Sequence, residues 1–298
     1  MRKDDREQVS APAPRDLLAI FRLESRGDGR FLGPAAPLAK GRVFGGQVMA
    51  QAALAAMLVE ERDRLAHSFH ANFLRSGDAG SPIEYEVKTL FDGRSFATRH
   101  VSATQREKLI LSLSASFHIA EDGPAHQRGR GGFGDPDRAA LKFQAWRHAG
   151  GETGLTAFAS YFDERPIEIV PIDPDASFGW AKLAPNAVAW VRCRGPAPAD
   201  AALQRSLLTY ASDMMLLRTA MLPHGLRPNM PGVHSASLDH ALWIHTTPDM
   251  NDWLLFETES SWAGSARGMS YGRFYARDGA LVAEVAQESL LRRSHPTT

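Results

Sequence analysis

The order of apolar and polar positions repeats itself along the chain. From Leu17 to Leu23 the pattern predicts a short strand, followed by a turn at Gly27-Asp28-Gly29 and a Pro- and Gly-rich lead-in to Gly41. Gly45-Gly46 then opens a different texture. Gln47–Glu60 is nearly all Ala, Leu, Met, Val and Gln, helix formers that are apolar on more than one face, which predicts a helix enclosed by protein. Ile83, Tyr85, Val87 and Thr89 alternate with Glu84, Glu86 and Lys88, the period of a strand with one face in a core. Asp92-Gly93 turns the chain, and Ser95–Thr104 and Leu109–Ile119 predict two further strands on either side of polar Gln105–Lys108.

After His118 the texture changes, and Gly, Arg, Pro and Asp dominate from Glu121 to Asp137, the composition of a linker or exposed loop. Leu141–Ala149 fits a short surface helix, and Arg165–Val170 and Ala187–Arg194 restart strand-like alternation. Ala201–Leu222 predicts a second long helix, entered from Pro198 and Asp200 and stopped by Pro223 and Gly225. The elements beyond it match those after the first helix: His70 and His240 lie 170 residues apart (240 − 70), and so do the turns at Arg106-Glu107-Lys108 and Ala276-Arg277-Asp278. A helix and then an antiparallel meander, twice over, is an α+β architecture in which each sheet wraps one long helix, the shape of a hotdog fold. The expected organisation is a flexible N-terminus (1–16), a first domain (17–120), a linker (121–160) and a second domain (161–298).

Composition narrows the function classes. A chain of 298 residues that is 44% hydrophobic suits two domains of ordinary size. Lys+Arg and Asp+Glu are equal at 34 each, so nothing draws the chain to nucleic acid or to an anionic membrane, and an anionic ligand must be met by local charge. The single cysteine, Cys193, excludes an internal disulfide and a thiolate metal cluster and agrees with a reducing compartment. The apolar stretches are shorter than a membrane span, charged Met1–Arg6 leads into no signal core, and Ser294-His295-Pro296-Thr297-Thr298 lacks a Ser-Lys-Leu type of address. A soluble, cytoplasmic protein without stable membrane insertion is expected.

Three polar residues are candidates for chemistry. Asp213 interrupts the helical run Leu207–Leu217; burial raises a carboxylate's pKa, which suits a base acting near neutrality, but a solvated stripe or a bond to a buried backbone group also accounts for it. Ser237 lies where a polar loop passes into a strand, and serines there commonly satisfy backbone groups. Gln287 shares an inward strand face with Val285 and Ser289, so its amide needs partners, either a neighbouring strand or a bound water or carbonyl. Gly45-Gly46 permits close backbone approach, and N–H groups at a helix start suit an anion or developing oxyanion; a tight turn is the plainer account. His67 and His70 complete no metal set, and His240 and His245 read as packing or hydrogen-bonding residues, so no metal is expected. Gly129-Arg130-Gly131-Gly132-Phe133-Gly134 matches a dinucleotide fingerprint only by letter, since no strand precedes it and Pro136 follows. The Gly-x-Ser-x-Gly elbow, the Walker A loop and His-Glu-x-x-His are absent.

Several blocks together resemble the acyl-CoA thioesterase II family of double-hotdog enzymes. In the first half they are Arg42-Val43-Phe44-Gly45-Gly46-Gln47-Val48 with Gln51-Ala52, His67-Ser68-Phe69-His70, Phe73-Leu74-Arg75-Ser76-Gly77-Asp78 and Asp92-Gly93-Arg94-Ser95-Phe96. In the second they are Tyr210-Ala211-Ser212-Asp213, Leu238-Asp239-His240-Ala241-Leu242-Trp243, Ser265-Ala266-Arg267-Gly268 and Gln287-Glu288. The resemblance implies a tandem hotdog that hydrolyses acyl-CoA to fatty acid and CoA without metal or cofactor. It also implies that Asp213, Ser237 and Gln287 orient the attacking water, with Ser237 standing where the better-known form has threonine. On that basis the first half supplies scaffold and part of an acyl channel. Phe44, Phe69 and Phe73 are its expected lining, Gly45 and Gly46 are substrate-binding candidates, and Arg94, Arg99 and Arg267 are candidates for the CoA phosphates. Counted at the 170-residue spacing, Phe117 stands where the second half has Gln287. Self-association is expected, as hotdog sheets commonly continue or pack across subunits. A non-catalytic acyl-CoA binding or sensing protein and a hotdog hydratase are the competing expectations.

Overall fold

The structure is a computed structural model that describes residues 16–36, 41–130, 132, 134–149, 163–174, 177 and 181–293. The expected flexible N-terminus up to residue 15 and positions 150–162 of the expected linker lie outside the described residues, as do Gly131 and Phe133.

Among the described residues, thirteen antiparallel strands form one sheet built from two halves. The first half holds β1 (Glu24–Gly27), β2 (Arg30–Gly33), β3 (Leu65–Phe73), β4 (Ile83–Asp92), β5 (Phe96–Gln105) and β6 (Lys108–His118). The second holds β7 (Ile167–Pro171), β8 (Asn186–Cys193), β9 (Val233–Ser237), β10 (Asp239–Ile244), β11 (Leu254–Gly264), β12 (Arg267–Tyr275) and β13 (Leu281–Arg293). The order β1-β2-β4-β5-β6-β3-β10-β13-β12-β11-β8-β7 is two similar meanders joined edge to edge through β3 and β10, with β9 also on β13. Pairing the two edge strands hides both from solvent.

Each half wraps a helix, as a double hotdog requires. Helix α1 (Gly45–Leu58) is buried along Gly46–Ala56, because Ala and Gly let neighbouring backbone approach on every side. The second long helix is not continuous, contrary to the sequence expectation. It divides into two pieces, Ala201–Ser212 and Leu216–Met221, with Asp213 at the break, and a short 3-10 turn, Leu222–His224, closes on left-handed Gly225. Leu17–Phe21 is likewise a 3-10 turn and not a strand: Asp16 accepts a hydrogen bond from Leu18 N–H and caps it. Helix α2 (Pro136–Ala149) starts earlier than expected and lies inside the segment read as a linker, where Phe143 packs into a cluster with Trp190, Trp253 and Tyr275. The two pieces of the divided helix are α3 (Ala201–Ser212) and α4 (Leu216–Met221).

Burial phase corrects the repeat. His70 is exposed and edge-on to Trp243, whereas His240 is buried, so the two are not equivalent positions. The buried pair Ile110-Leu111 in β6 matches Val282-Ala283 in β13, which sets Gln287 against Ala115 and Ser289 against Phe117. The 170-residue count is short by one or two residues in these strands, because insertions fall in the turns between them.

Candidate active site

Asp213 lies at the break between α3 and α4. Asp213 is the C-cap of α3, at the negative end of that helix, and only 7% exposed. It faces the positive end of α1, whose own cap residue, Phe44, offers no side-chain hydrogen bond. Gly46 N–H donates to the Asp213 carboxylate instead, so one orphan donor of α1 is satisfied from the other half of the chain. The plainer reading of Asp213, a bond to a buried backbone group, therefore holds. Both glycines are required by this approach: a Cβ at Gly45 would lie 3.0 Å from Asp213 Oδ2, and one at Gly46 would lie 2.4 Å from Phe44 and 2.9 Å from the Tyr210 carbonyl. Burial pushes the Asp213 pKa up to about 7, against the opposing pull of the Ser237 hydroxyl and the Gly46 N–H.

Ser237 reaches the same carboxylate, its Oγ donating to Asp213 Oδ1 at 3.2 Å. A bulge delivers it. Ser237 pairs with Ser289 while Ala241 pairs with Ala286, so β9–β10 carries one extra residue against β13. Asp239 fills the gap by accepting Glu288 N–H at 2.7 Å. The kink places Ser237 on the cavity wall while His240 and Leu242 stay in the core.

Gln287 is fully buried but lies behind the wall, and among the described residues no direct hydrogen bond joins it to Asp213 or Ser237. It meets His240 Nδ1 at 2.7 Å and Ser289 Oγ at 3.2 Å, and His240 Nε2 meets Ser212 Oγ at 2.8 Å. Gln287 is thus tied to the neighbours of both groups: Ser212 precedes Asp213, and Ser289 lies across from Ser237. Burial lowers the His240 pKa to about 4, so its ring is neutral at pH 7. In the sequence His240 is legible only as a packing or hydrogen-bonding residue; its shared phase with Leu242 and Ile244 is the signal that it faces inward.

Asp213, Ser237 and Gly45 line a cavity of about 630 Å³ at the seam of the two halves. Phe44 and Phe73 line it, but Phe69 does not, being sealed in the core. The expected CoA arginines are elsewhere. Arg99 is buried in an ion pair with Glu60 at 3.1 Å, Arg267 pairs with Glu288 at 3.0 Å, and Arg94 is exposed on the turn after β4; none of them touches the cavity. The charged residues that do line it are Arg42, Arg75, Arg165, Arg218 and Asp213, with Arg42 and Arg75 exposed beside Leu74 and Ser76. Arg165 donates to Tyr210 Oη at 3.0 Å and lies 5.6 Å over the Phe44 ring. Ile169, Ala187, Met215 and Thr219 form a buried inner end. Among the described residues no group of three or more His, Cys, Asp or Glu is placed to hold a metal ion, and no helix is long and apolar enough to cross a membrane.

Comparison with known proteins agrees with this architecture. The family model described as acyl-CoA thioesterase matches residues 157–290, and that of the acyl-CoA thioesterase N-terminal domain matches 34–118. Acyl-CoA thioesterase 2 of Haemophilus influenzae is 35% identical over 94% of this chain and 98% of its own. Acyl-coenzyme A thioesterase 8 of Mus musculus is 37% identical over 84% of this chain and 80% of its own. The crystal structure of acyl-CoA thioesterase II TesB2 from Mycobacterium marinum superposes with a TM-score of 0.75 at 31% identity, covering 94% of this chain and 99% of that one. With both halves matched in order and one relative covered almost end to end, the chain belongs to the acyl-CoA thioesterase family, as a double-hotdog thioester hydrolase.

Proposed function

We propose that the protein hydrolyses fatty acyl-CoA, with Asp213 as general base on a water molecule in the seam cavity. The observation that carries this reading is the buried Asp213 carboxylate on the cavity wall, bonded to Ser237 and Gly46, with its pKa raised to about 7. A base of that pKa is half ionised near neutrality and strong enough to take a proton from water as it attacks. The water oxygen adds to the thioester carbon, and its proton passes to Asp213. Collapse of the tetrahedral adduct expels the thiolate of CoA, which recovers the proton from Asp213 and leaves free acid and thiol. Ser237 holds the carboxylate and the water in line. The Gln287 amide supports that alignment from behind the wall. Gly46 N–H is committed to Asp213, so Gly45 at the start of α1 is the remaining candidate donor to the thioester oxygen.

Local charge at the cavity suits the substrate. Four arginines against one aspartate favour a polyanion in a chain whose net charge is zero, and exposed Arg42 and Arg75 are the candidates for the CoA phosphates. The inner end at Ile169, Ala187, Met215 and Thr219 is assigned to the acyl chain. The non-catalytic alternative loses its motive, since the serine keeps its hydroxyl on the carboxylate. Release of free thiol should be followed over short, medium and long acyl-CoAs for wild type and Asp213→Ala. Turnover that collapses in the variant supports the reading; equal rates remove Asp213 from the mechanism. Hydration of crotonyl-CoA without thiol release would point to the hydratase alternative.

A further inference from the structure

The two halves differ at a buried pair whose second-half member His240 contacts Ser212, next to Asp213. In the first half the inward pair Phe69 and Ala115 is opposed in register across β3 and β6, and both residues are fully buried and apolar. In the second half the corresponding strands place His240 opposite Gln287, one step along from the pair Ala241 and Ala286. The equivalence is fixed by matching bulges: β6 skips Ile110 against β5 as β13 skips Val282 against β12, which sets Ala115 on Gln287 and, through their pairing partners, Phe69 on His240. A stable core of this shape can therefore be made without polar groups at this level, because the molecule contains one. Four polar side chains, Ser212, His240, Gln287 and Ser289, are fully buried in the second half instead. Each needs partners, and buried polar groups destabilise unless the network is complete.

The network is complete and directional. Neutral His240 has one N–H and one acceptor nitrogen. The Ser212 hydroxyl lies 2.8 Å from both the Thr209 carbonyl and His240 Nε2. Gln287 Oε1 faces Nδ1 at 2.7 Å and accepts from Nδ1–H, while Gln287 Nε2 donates to Ser289 Oγ at 3.2 Å; Nε2 of the ring is then the acceptor for the Ser212 hydroxyl. Ser212 is the last residue of α3, immediately before Asp213, and Ser289 opposes Ser237.

We propose that His240 is a positioning residue for catalysis: it locks the end of α3 to the Gln287 amide, setting the distance between the Asp213–Ser237 pair and the side chain that supports the bound water. This rests on the reading of Asp213 as the base. A group held about 1 Å out of place can cost a reaction about a hundredfold in rate.

The test uses steady-state thiol release from one acyl-CoA by wild type, His240→Phe, His240→Asn, Ser212→Ala and Asp213→Asn. His240→Phe installs the first half's residue, which fills the space without hydrogen bonds. It should lower kcat about a hundredfold with KM within about threefold, while circular dichroism keeps the wild-type fold. His240→Asn retains an amide near the Nδ1 position and should recover about tenfold over His240→Phe. Ser212→Ala removes the far hydrogen bond with little change of volume, and it serves if the ring replacements fail to fold. Its kcat should fall about tenfold at unchanged KM. A folded His240→Phe with wild-type kcat overturns the proposal, as does a Ser212→Ala at wild-type kcat or a His240→Asn no better than His240→Phe. Asp213→Asn separates the two readings: full activity there removes the base, whereas loss there together with an active His240→Phe removes only the positioning role.

Discussion

Replacing Asp213 by asparagine should destroy activity and stabilise the protein, and the second effect should depend on pH. The carboxyl has an ordinary pKa of 3.8 in the unfolded chain and about 7 in the folded one. Between those values the folded state holds a proton that the unfolded state has lost, so wild-type stability falls by about 1.4 kcal/mol for each pH unit from about pH 4 to about pH 7 and is level above. The asparagine side chain of the variant carries no such dependence and still accepts from Ser237 through its amide oxygen. The gain of Asp213→Asn over wild type should thus approach about 4 kcal/mol at pH 8, as an upper bound, and be about 2–3 kcal/mol smaller at pH 5. Urea unfolding of both proteins at the two pH values measures it, alongside thiol release, whose kcat/KM in wild type should rise with pH through an acid limb near pH 7. A stability difference that is the same at pH 5 and pH 8 would show that burial does not perturb this carboxyl, and the argument for a base poised at neutrality would go with it.

Ser237→Ala should cost about tenfold to a hundredfold in kcat, and Ser237→Thr should keep activity, since the hydroxyl on Asp213 is what the site uses; thiol release distinguishes them. Gly46→Ala forces a Cβ to 2.4 Å from Phe44 and 2.9 Å from the Tyr210 carbonyl, so it should destabilise by about 1–3 kcal/mol in urea and lower kcat by moving α1 off Asp213. Arg42→Ala with Arg75→Ala should raise KM for acyl-CoA several-fold at constant kcat and flatten its dependence on salt, as read from kinetics at two ionic strengths.

The hydrophobic pattern determined which segments became strands and helices. Ile83, Tyr85 and Val87 alternate with charge, and in β4 Ile83 and Tyr85 are buried while Glu84 is exposed, because a period of two admits one inward face. The Ala-rich run after Gly45-Gly46 became a helix buried on all sides for an equally local reason, the small side chains that let α3 and the sheet close on it. Asp213 and Gln287 are legible as polar residues in apolar company, which is a statement about solvation and needs no partner to be named, whereas Ser237, at the end of a polar loop, stands out only through the family resemblance.

What each of them touches was decided in three dimensions. Ser212-Asp213-Met214-Met215 is compatible with helix, yet the helix breaks there and Gly46 N–H and Ser237, distant in the chain, bind the carboxylate. The arginines show the same limit: Arg99 looks like a cation on a strand until Glu60 and Asp92 fold beside it, and nothing in the chain singles out Arg42 and Arg75 over Arg94 and Arg267. Likewise His70 and His240 match by letter and spacing but face opposite ways, since one residue of slip in a strand reverses its face. Secondary structure follows from contacts a few residues long. A site built where two halves meet follows from which surfaces those elements bring together, and that depends on loop insertions, a bulge and the seam between β3 and β10.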